Sequence, residues 1–330
     1  MAAALDVVGI GNAIVDVIAQ ADDRFLERQG LRKGSMQLID AARAEELYAA
    51  MGPALEMSGG SAGNTMAGIA SLGGNGAYIG KVSEDELGRV FAHDMRAIGV
   101  RFDAAPLRGG APTARSLILV TPDAQRTMNT FLGACVELGP EDIPAELVAA
   151  AQVTYLEGYL FDPPRAKAAF QKAAELAHAA GRKVSLTLSD AFCVERYRAE
   201  FRALIEGHID ILFANETEIT ALYGTKDFDA ALAAVRGHCE IAALTRSEKG
   251  SVILAAGATH RIAAAQVAKL VDTTGAGDLY ASGFLFGLTH GRDLASCGRL
   301  GSLAAAEVIG HFGARPETSL KALAQQAGLL

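Results

Sequence analysis

The stretch KLVDTTGAGDLYASGF, residues 269–284, places two carboxylates, Asp272 and Asp278, on either side of a glycine-rich turn. The pattern predicts a strand end, a loop and then a helix whose first turn holds Asp278. The backbone N–H groups that could converge on an oxyanion there are those of Gly275, Ala276 and Gly277. A helix N-terminus favours such an anion. A carboxylate in the same cradle would repel it, so we interpret Asp278 as facing a group that is brought beside a phosphate.

Phosphoryl transfer explains this pairing of a carboxylate with an anion site. The reaction needs positioning, charge stabilisation and a group that accepts the proton of the nucleophile. In the alternative interpretation Asp278 only favours the helix dipole, which contributes less than about 1 kcal/mol. The presence of Gly283 and Gly287 is evidence against this alternative, because each glycine costs about 1 kcal/mol relative to alanine inside a helix. That cost indicates close packing under the loop.

The composition limits the classes of protein that the chain could represent. The 330 residues suit two average domains or one α/β domain of generous size with an inserted piece, and a net charge of −8 argues against a nucleic-acid surface. The four cysteines are far apart and predict reduced thiols. The first residues have no basic signal region, and the uncharged run 57–80 is too rich in Gly, Ser and Asn for a membrane span. We therefore expect a cytoplasmic protein without membrane or nucleic-acid partners.

The order of apolar segments indicates the fold class. Short apolar runs typical of buried parallel strands are LDVVGIG (5–11), VTYLEG (153–158), KVSLTLS (183–189), IDILFAN (209–215) and IAALTR (241–246). Helical segments lie between most of them, and the clearest, 163–181, is opened by prolines and closed by Gly181. This alternation predicts a doubly wound α/β sheet.

Three segments interrupt the alternation of strands and helices. Residues 14–20 and 34–40 are predicted strands, and 114–131 is a predicted hairpin that turns at Pro122-Asp123. We expect them to form a small antiparallel sheet inserted into a single domain, 1–330, with its pieces near 14–40 and 102–131. Such a sheet could act as a lid over the carboxyl edge of the main strands.

Two glycine motifs are incomplete. GIGNAI begins like a dinucleotide fingerprint, but Ile14 occupies the third glycine position. NGAYIGKVS approaches a phosphate-binding loop, but Asn75 replaces its first glycine and Val82 follows Lys81. We predict neither a nicotinamide enzyme nor such a loop, and an Asn75-Gly76 turn into a strand explains the second motif better.

Two longer motifs carry a family resemblance. DTTGAGDLYASG resembles the second signature of the ribokinase-like (pfkB) kinases, and residues 59–88, which begin GGSAGN, resemble the first. The resemblance extends over roughly residues 5–318. It implies a three-layer αβα fold with a β-sheet lid, Asp278 as catalytic base, and the loop amides of Gly275, Ala276 and Gly277 as an anion hole.

The resemblance also implies a substrate site. Its residues would be Asn12, Asp16, Gly59, Gly60 and Asn64. Asp16 matches the family's acid for sugar hydroxyls, and a carboxylate suits this because charged acceptors make the stronger hydrogen bonds. The alternatives are an exposed lid acid at Asp16, and a turn glycine and helix cap at Gly60 and Asn64.

A nucleotide site is implied by other positions. Asn215 and Glu218 match the N-x-x-E motif, which would organise magnesium through water and the phosphates, although the same pair would also make a helix capping box. Thr245 and Gly250 match the nucleotide segment, in which Ser247 replaces a glycine. Arg126 lies where the adenosine kinase branch has a phosphate-facing arginine; a solvated hairpin arginine is the alternative.

The choice of substrate rests on further likenesses to the adenosine kinase branch. They lie in 126–134, 187–192, 212–224 and 304–316. The hypothesis is 5′-phosphorylation of adenosine with ATP and Mg2+, a monovalent cation such as K+ being left open. Candidates for an apolar base slot are Ile14, Tyr159 and Phe161, which core packing would explain equally well. The alternatives are a sugar kinase of the same family and an inactive ligand-binding homologue. The chain could be a monomer or a homodimer.

Overall fold

The computed structural model describes residues 3–123, 125–161, 163–255 and 257–330, and its main element is an eight-stranded sheet. The strands are β1 (Leu5–Ile10), β5 (Gly76–Ile79), β8 (Ala151–Glu157), β9 (Lys183–Thr187), β10 (Ile211–Asn215), β11 (Ile241–Thr245), β12 (Ser251–Ala255) and β13 (Ala258–Ile262). Their order is β13-β12-β11-β10-β9-β8-β1-β5. All neighbours from β5 to β11 are parallel, and β12 and β13 add an antiparallel edge.

A second, five-stranded sheet is built from separate parts of the first 131 residues. Its strands are β2 (Ile14–Gln20), β3 (Met36–Leu38), β4 (Ala54–Ser58), β6 (Ala114–Val120) and β7 (Arg126–Phe131), in the order β3-β7-β6-β2-β4. The sheet is mixed and not antiparallel throughout as expected: β6 and β7 form the predicted hairpin and β2 pairs with β4 antiparallel, but β2 pairs with β6, and β3 with β7, in parallel. These parallel pairs form because long connections separate their strands, as parallel pairing requires. The strand β4 was not predicted at all.

Helices cover both faces of the main sheet. They are α1 (Asp23–Arg28), α2 (Ala41–Ala50), α3 (Ser61–Ser71), α4 (Glu86–Ala97), α5 (Ala145–Ala150), α6 (Pro164–Ala179), α7 (Ala191–Arg196), α8 (Arg198–His208), α9 (Glu216–Tyr223), α10 (Phe228–Val235), α11 (Ala276–Thr289), α12 (Leu294–Val308) and α13 (Leu320–Gln326). Adjacent residues of one strand enter different cores, Val7 on the side of α3 and α11 and Val8 on the side of α6. This two-sided burial is that of a doubly wound sheet, as predicted.

The packing beneath α11 explains its interior glycines. A Cβ added to Gly283 would overlap the backbone of Leu300, and one added to Gly287 would lie 3.0 Å from Cys297 Sγ. The prediction of close packing under the loop is therefore confirmed, with α12 as the packing partner. The predicted strand end before the loop was wrong, because 263–275 contains no strand.

Candidate active site

The N-terminus of α11 forms a sharp turn. Gly275 is the N-cap with φ 79°, a left-handed conformation, and an added Cβ would lie 2.8 Å from Ala314 Cβ, so only glycine fits without strain. Asp278 is the third residue of the helix. The N–H of Ala276 donates to Thr273 O at 3.3 Å, so one of the three amides considered for an oxyanion has a partner within the loop. The first N–H groups of a helix otherwise lack intrahelical partners.

Asp278 faces away from the loop towards α3. Ser61 Oγ donates to Asp278 Oδ1 at 2.6 Å, and Asn64 Nδ2 donates to Asp278 Oδ2 at 3.1 Å. Burial raises the pKa of Asp278 to about 6, against the effect of these two donors. A half-buried carboxylate held by side chains from another helix does more than complement a helix dipole.

Asp272 has different partners. Arg126 donates to Asp272 Oδ2 and, at 2.8 Å, to Thr274 Oγ1, while Thr274 N and Oγ1 donate to Asp272 Oδ1 at 3.0 and 2.7 Å. The Arg126 and Asp272 side chains are only 11% and 9% exposed. Arg126 is thus neither solvated nor free. The two carboxylates of the opening motif have separate tasks: Asp272 ties the loop to β7, and Asp278 faces α3.

Asp16, the third residue of β2, lies directly against a glycine. A Cβ on Gly59 would overlap the Asp16 carboxylate, and a Cβ on Gly60 would overlap Asn12 O. Burial raises the pKa of Asp16 to about 6, and the charges of Arg126 and Arg315 oppose that rise. The glycine pair therefore allows Asp16 and Asn12 to approach the N-terminus of α3.

A buried glutamate that sequence reasoning missed supports the same region. Glu157, at the end of β8, is 1% exposed and accepts from Asn12 Nδ2 at 2.7 Å and from the N–H of Ala62 at 2.8 Å. Burial raises its pKa to about 7. The signal was available, because a charged residue ends the otherwise uncharged run VTYLEG (153–158).

One face of the five-stranded sheet is uncovered by helices. Asp16 pairs with Ser116, and the register continues through Thr130 to Leu38. Paired residues on neighbouring strands point to the same side, so Leu38 shares the face of Asp16. Leu38 is 55% exposed, whereas Val17, on the opposite face, is fully buried.

The uncovered face, which we call the open face, is mostly apolar. It is defined by Asp16, Ile18, Met36, Leu38, Leu55 and Met128. Arg126 stands on the same face, two residues before Met128, and reaches Asp272 and Thr274. The open face is therefore turned towards the loop before α11.

The N-x-x-E pair forms the capping box that was one of its two interpretations. Glu218 N donates to Asn215 Oδ1 at 2.8 Å, and Asn215 N donates to Glu218 Oε2 at 2.9 Å. Burial, together with the charges of Asp190 and Asp278, raises the pKa of Glu218 to about 7. Burial, and then the charges of Asp190, Asp278 and Glu218, raise the pKa of the Tyr159 phenol. The pair thus lies near enough to Asp278 to act electrostatically with it.

The segment after β11 makes a tight turn. Ser247 adopts φ 50°, a left-handed value that a glycine would take without strain. Gly250 lies against the backbone of Ile262, and Thr245 pairs with Asn215 on β10. Ile262 also lines a cavity of about 400 Å³, whose other lining residues include Arg261, Arg299, Ser302, Leu303 and Leu329.

The structure does not bring Phe161 to these residues. Phe161 is 4% exposed and stacks on Phe201 with ring centroids 4.4 Å apart, in the core on the α6 side. Core packing accounts for it, so its assignment to the substrate site is corrected. Ile14, at the base of β2, is partly buried and packs against the other core.

In the part of the chain that the structure describes, no helix has the length and apolarity needed to cross a membrane. The same residues contain no group of three or more His, Cys, Asp or Glu side chains that could hold a metal ion.

This α/β fold, with a second sheet turned towards a carboxylate at a helix N-terminus, defines a ribokinase-like kinase. The model of the pfkB family carbohydrate kinases matches residues 36–321, and the chain belongs to that family. It is an ATP-dependent kinase for a nucleoside or a sugar.

The chain is similar to several proteins of known structure or described activity. The adenosine kinase from Sinorhizobium meliloti is 59% identical with a TM-score of 0.91, covering 98% of this chain and 99% of that one. A probable sugar kinase from Rhizobium etli CFN 42 is 56% identical with a TM-score of 0.93, covering 99% and 100%. Guanosine-inosine kinase from Escherichia coli (strain K12) is 31% identical over 232 residues, which are 67% of this chain but only 53% of that enzyme.

Proposed function

We propose that the protein transfers the γ-phosphoryl group of ATP to the 5′-hydroxyl of a nucleoside, and that the nucleoside is adenosine. The observation that carries the proposal is Asp278: a carboxylate of raised pKa, held by Ser61 and Asn64 in the first turn of α11. Its relatives include an adenosine kinase at 59% identity and a guanosine-inosine kinase.

Asp278 is the general base in this proposal. The substrate hydroxyl gives its proton to Asp278 as its oxygen bonds to the γ-phosphorus, and the bond from that phosphorus to the bridging oxygen of ADP breaks. A base with a pKa of about 6 is ionised at neutral pH and still basic enough to accept a proton. Ser61 and Asn64 orient the carboxylate, so that its accepting oxygen is presented to the hydroxyl.

The helix N-terminus suits the phosphate. A Cβ on Gly277 would have no atom within 4 Å, so the space outside the first turn of α11 is open. Free N–H groups and the helix dipole favour an anion there. Gly275 and Gly277 would present their amides to it, while the Ala276 N–H would first have to leave Thr273 O.

The residues present fit a magnesium ion that is held mainly by phosphates and water. Mg2+ usually retains several waters and takes one or two carboxylates plus substrate phosphates. Glu218 is the carboxylate that would hold one of those waters, since Asn215 anchors it and Asp278 lies close enough to raise its pKa. When bound, the metal neutralises charge that develops on the transferred group.

The open face supports a nucleoside over a free sugar. Asp16 can accept hydrogen bonds from ribose hydroxyls, while Leu38 and Met36, 55% and 52% exposed, offer apolar surface beside it. A purine would cover such surface, and a free sugar would leave it in water. For the ATP base, the cavity next to Ile262 is the candidate, because the turn at Gly250 adjoins it.

The deciding experiment measures ADP release with Mg-ATP and adenosine, inosine, guanosine, ribose or fructose. We expect the highest kcat/KM with adenosine. A higher kcat/KM with ribose or fructose would mean that the substrate is a sugar and not a nucleoside. The Rhizobium etli relative is described as a probable sugar kinase. No release with any acceptor, while adenosine still binds in calorimetry, would favour the ligand-binding alternative.

A further inference from the structure

One cation, Arg315, lies beside the proposed substrate residues. Arg315 lies between α12 and α13, in a stretch, 309–319, that forms neither helix nor strand. Its Nε donates to Asn64 Oδ1 at 3.4 Å, and its NH2 group lies 3.7 Å from Met95 Sδ. Burial lowers the pKa of Arg315, and the charges of Asp16 and Asp94 raise it. The guanidinium is thus placed among the proposed substrate residues.

The two residues before Arg315 also touch the site. Gly313 N donates to Asp272 Oδ2 at 3.3 Å, and Ala314 packs so closely on Gly275 that no Cβ fits there. Three consecutive residues therefore contact the loop, the helix N-cap and α3. The segment holds Arg315 in a defined place relative to α11.

Only one of the two orientations of the Asn64 amide lets it donate a hydrogen bond to Asp278. An asparagine amide has a donor end and an acceptor end. With Nδ2 towards Asp278, the acceptor Oδ1 faces the Nε of Arg315. If the amide turned over, Oδ1 would face the carboxylate of Asp278, and its NH2 group would face a guanidinium that cannot accept.

We propose that Arg315 is a positioning residue that turns the amide of Asn64 so that its N–H groups face Asp278. The proposal deepens the proposed function and rests on it for its kinetic consequences. The structural consequence, the orientation of Asn64, does not depend on activity.

The kinetic test compares Arg315→Met with Arg315→Lys. Methionine keeps a long side chain but removes both donor and charge, and we expect kcat with adenosine to fall 10- to 100-fold and KM to rise several-fold. Lysine restores a donor and a charge, so both parameters should recover to within about fivefold of wild type. Arg96→Met is the matched control, since Arg96 donates to Phe102 O at 3.0 Å away from the site.

A crystal structure of Arg315→Met provides the second readout. We expect Asn64 Nδ2 to move away from Asp278 Oδ2, because Oδ1 has lost the donor that holds it. The proposal is overturned if Arg315→Met keeps wild-type kcat and KM, or if Asn64 Nδ2 remains about 3.1 Å from Asp278 Oδ2 in the variant. A wild-type protein without kinase activity would refute the proposed function alone, and the position of Asn64 would still decide the role of Arg315. Thermal melting of each variant verifies that it is folded.

Discussion

The two sheets contribute different kinds of surface to the candidate site. The eight-stranded sheet is covered by helices on both sides, and the groups at its edge are single carboxylates with raised pKa values, such as Glu157 and Glu218. The five-stranded sheet is covered on one side only and presents exposed Met36, Leu38 and Leu55 around Asp16. The difference suggests a division: the covered sheet positions groups for chemistry, and the half-covered sheet recognises the substrate.

The sharpest test of that division is Asp278→Asn. Loss of a general base typically costs 10²- to 10⁴-fold, so we expect kcat to fall by that factor with little change in adenosine affinity. Steady-state kinetics and calorimetry measure the two effects. Asp272→Asn is the matched control, since it changes the other carboxylate of the loop, and we expect a smaller loss in kcat.

The stability of Asp278→Asn distinguishes lost chemistry from misfolding. The folded pKa of Asp278, about 6, lies above its unfolded value of 3.8, so the ionised carboxylate destabilises the fold at pH 7. We therefore expect the variant to be at least as stable as wild type in urea unfolding at pH 7. A large loss of stability would contradict this account of Asp278.

On the other sheet, Asp16→Asn should act on recognition. A hydrogen bond to a charged group contributes about 1.5–3 kcal/mol, so we expect kcat/KM for adenosine to fall about 10- to 150-fold, mainly through KM. Glu27→Gln, an exposed change on α1, is the control. If only kcat fell, the proposal that the five-stranded sheet recognises the substrate would be contradicted.

A smaller effect is expected from Leu38→Ser on the open face. Removing apolar surface that a base would cover should raise KM for adenosine about two- to fivefold, by the usual value of about 25 cal/mol per Å². Residual turnover of ribose should not change. Ile98→Ser, at an exposed apolar position on the C-cap of α4, is the control. Equal effects on adenosine and ribose would mean that the open face does not contact a base.

The smallest expected effect is the dependence of kcat/KM on pH. Asp16 and Asp278 both have a pKa of about 6 and must be ionised to accept hydrogen bonds or a proton. Glu218, with a pKa of about 7, adds to the fall, so we expect kcat/KM to drop at least two- to fourfold between about pH 8 and pH 6 and more steeply below. In Asp16→Asn the acid limb should become shallower, because one carboxylate fewer takes up a proton. An unchanged limb would assign it to other groups.

Local patterns explain which parts of the site could be predicted from the sequence. The start of α11 just before Asp278, the capping box of Asn215 and Glu218, and the alternation of strands with helices depend on residues a few positions apart. The strand β4 escaped prediction because ALEMS, at 54–58, is short and does not alternate strictly between apolar and polar residues. Phe161 was misassigned because an aromatic residue next to a strand end looks the same in sequence whether it lines a site or a core.

The sequence by itself determined the class of fold, the loop with its two carboxylates and the kinase family, because these follow from short-range periodicity and contiguous motifs. Only the tertiary structure decided the partners of those carboxylates. Asp278 meets Asn64 across 214 residues of chain, and Arg315 meets Asn64 across 251. No local pattern encodes such pairs, since they arise when helices and loops pack together at the edge of a sheet.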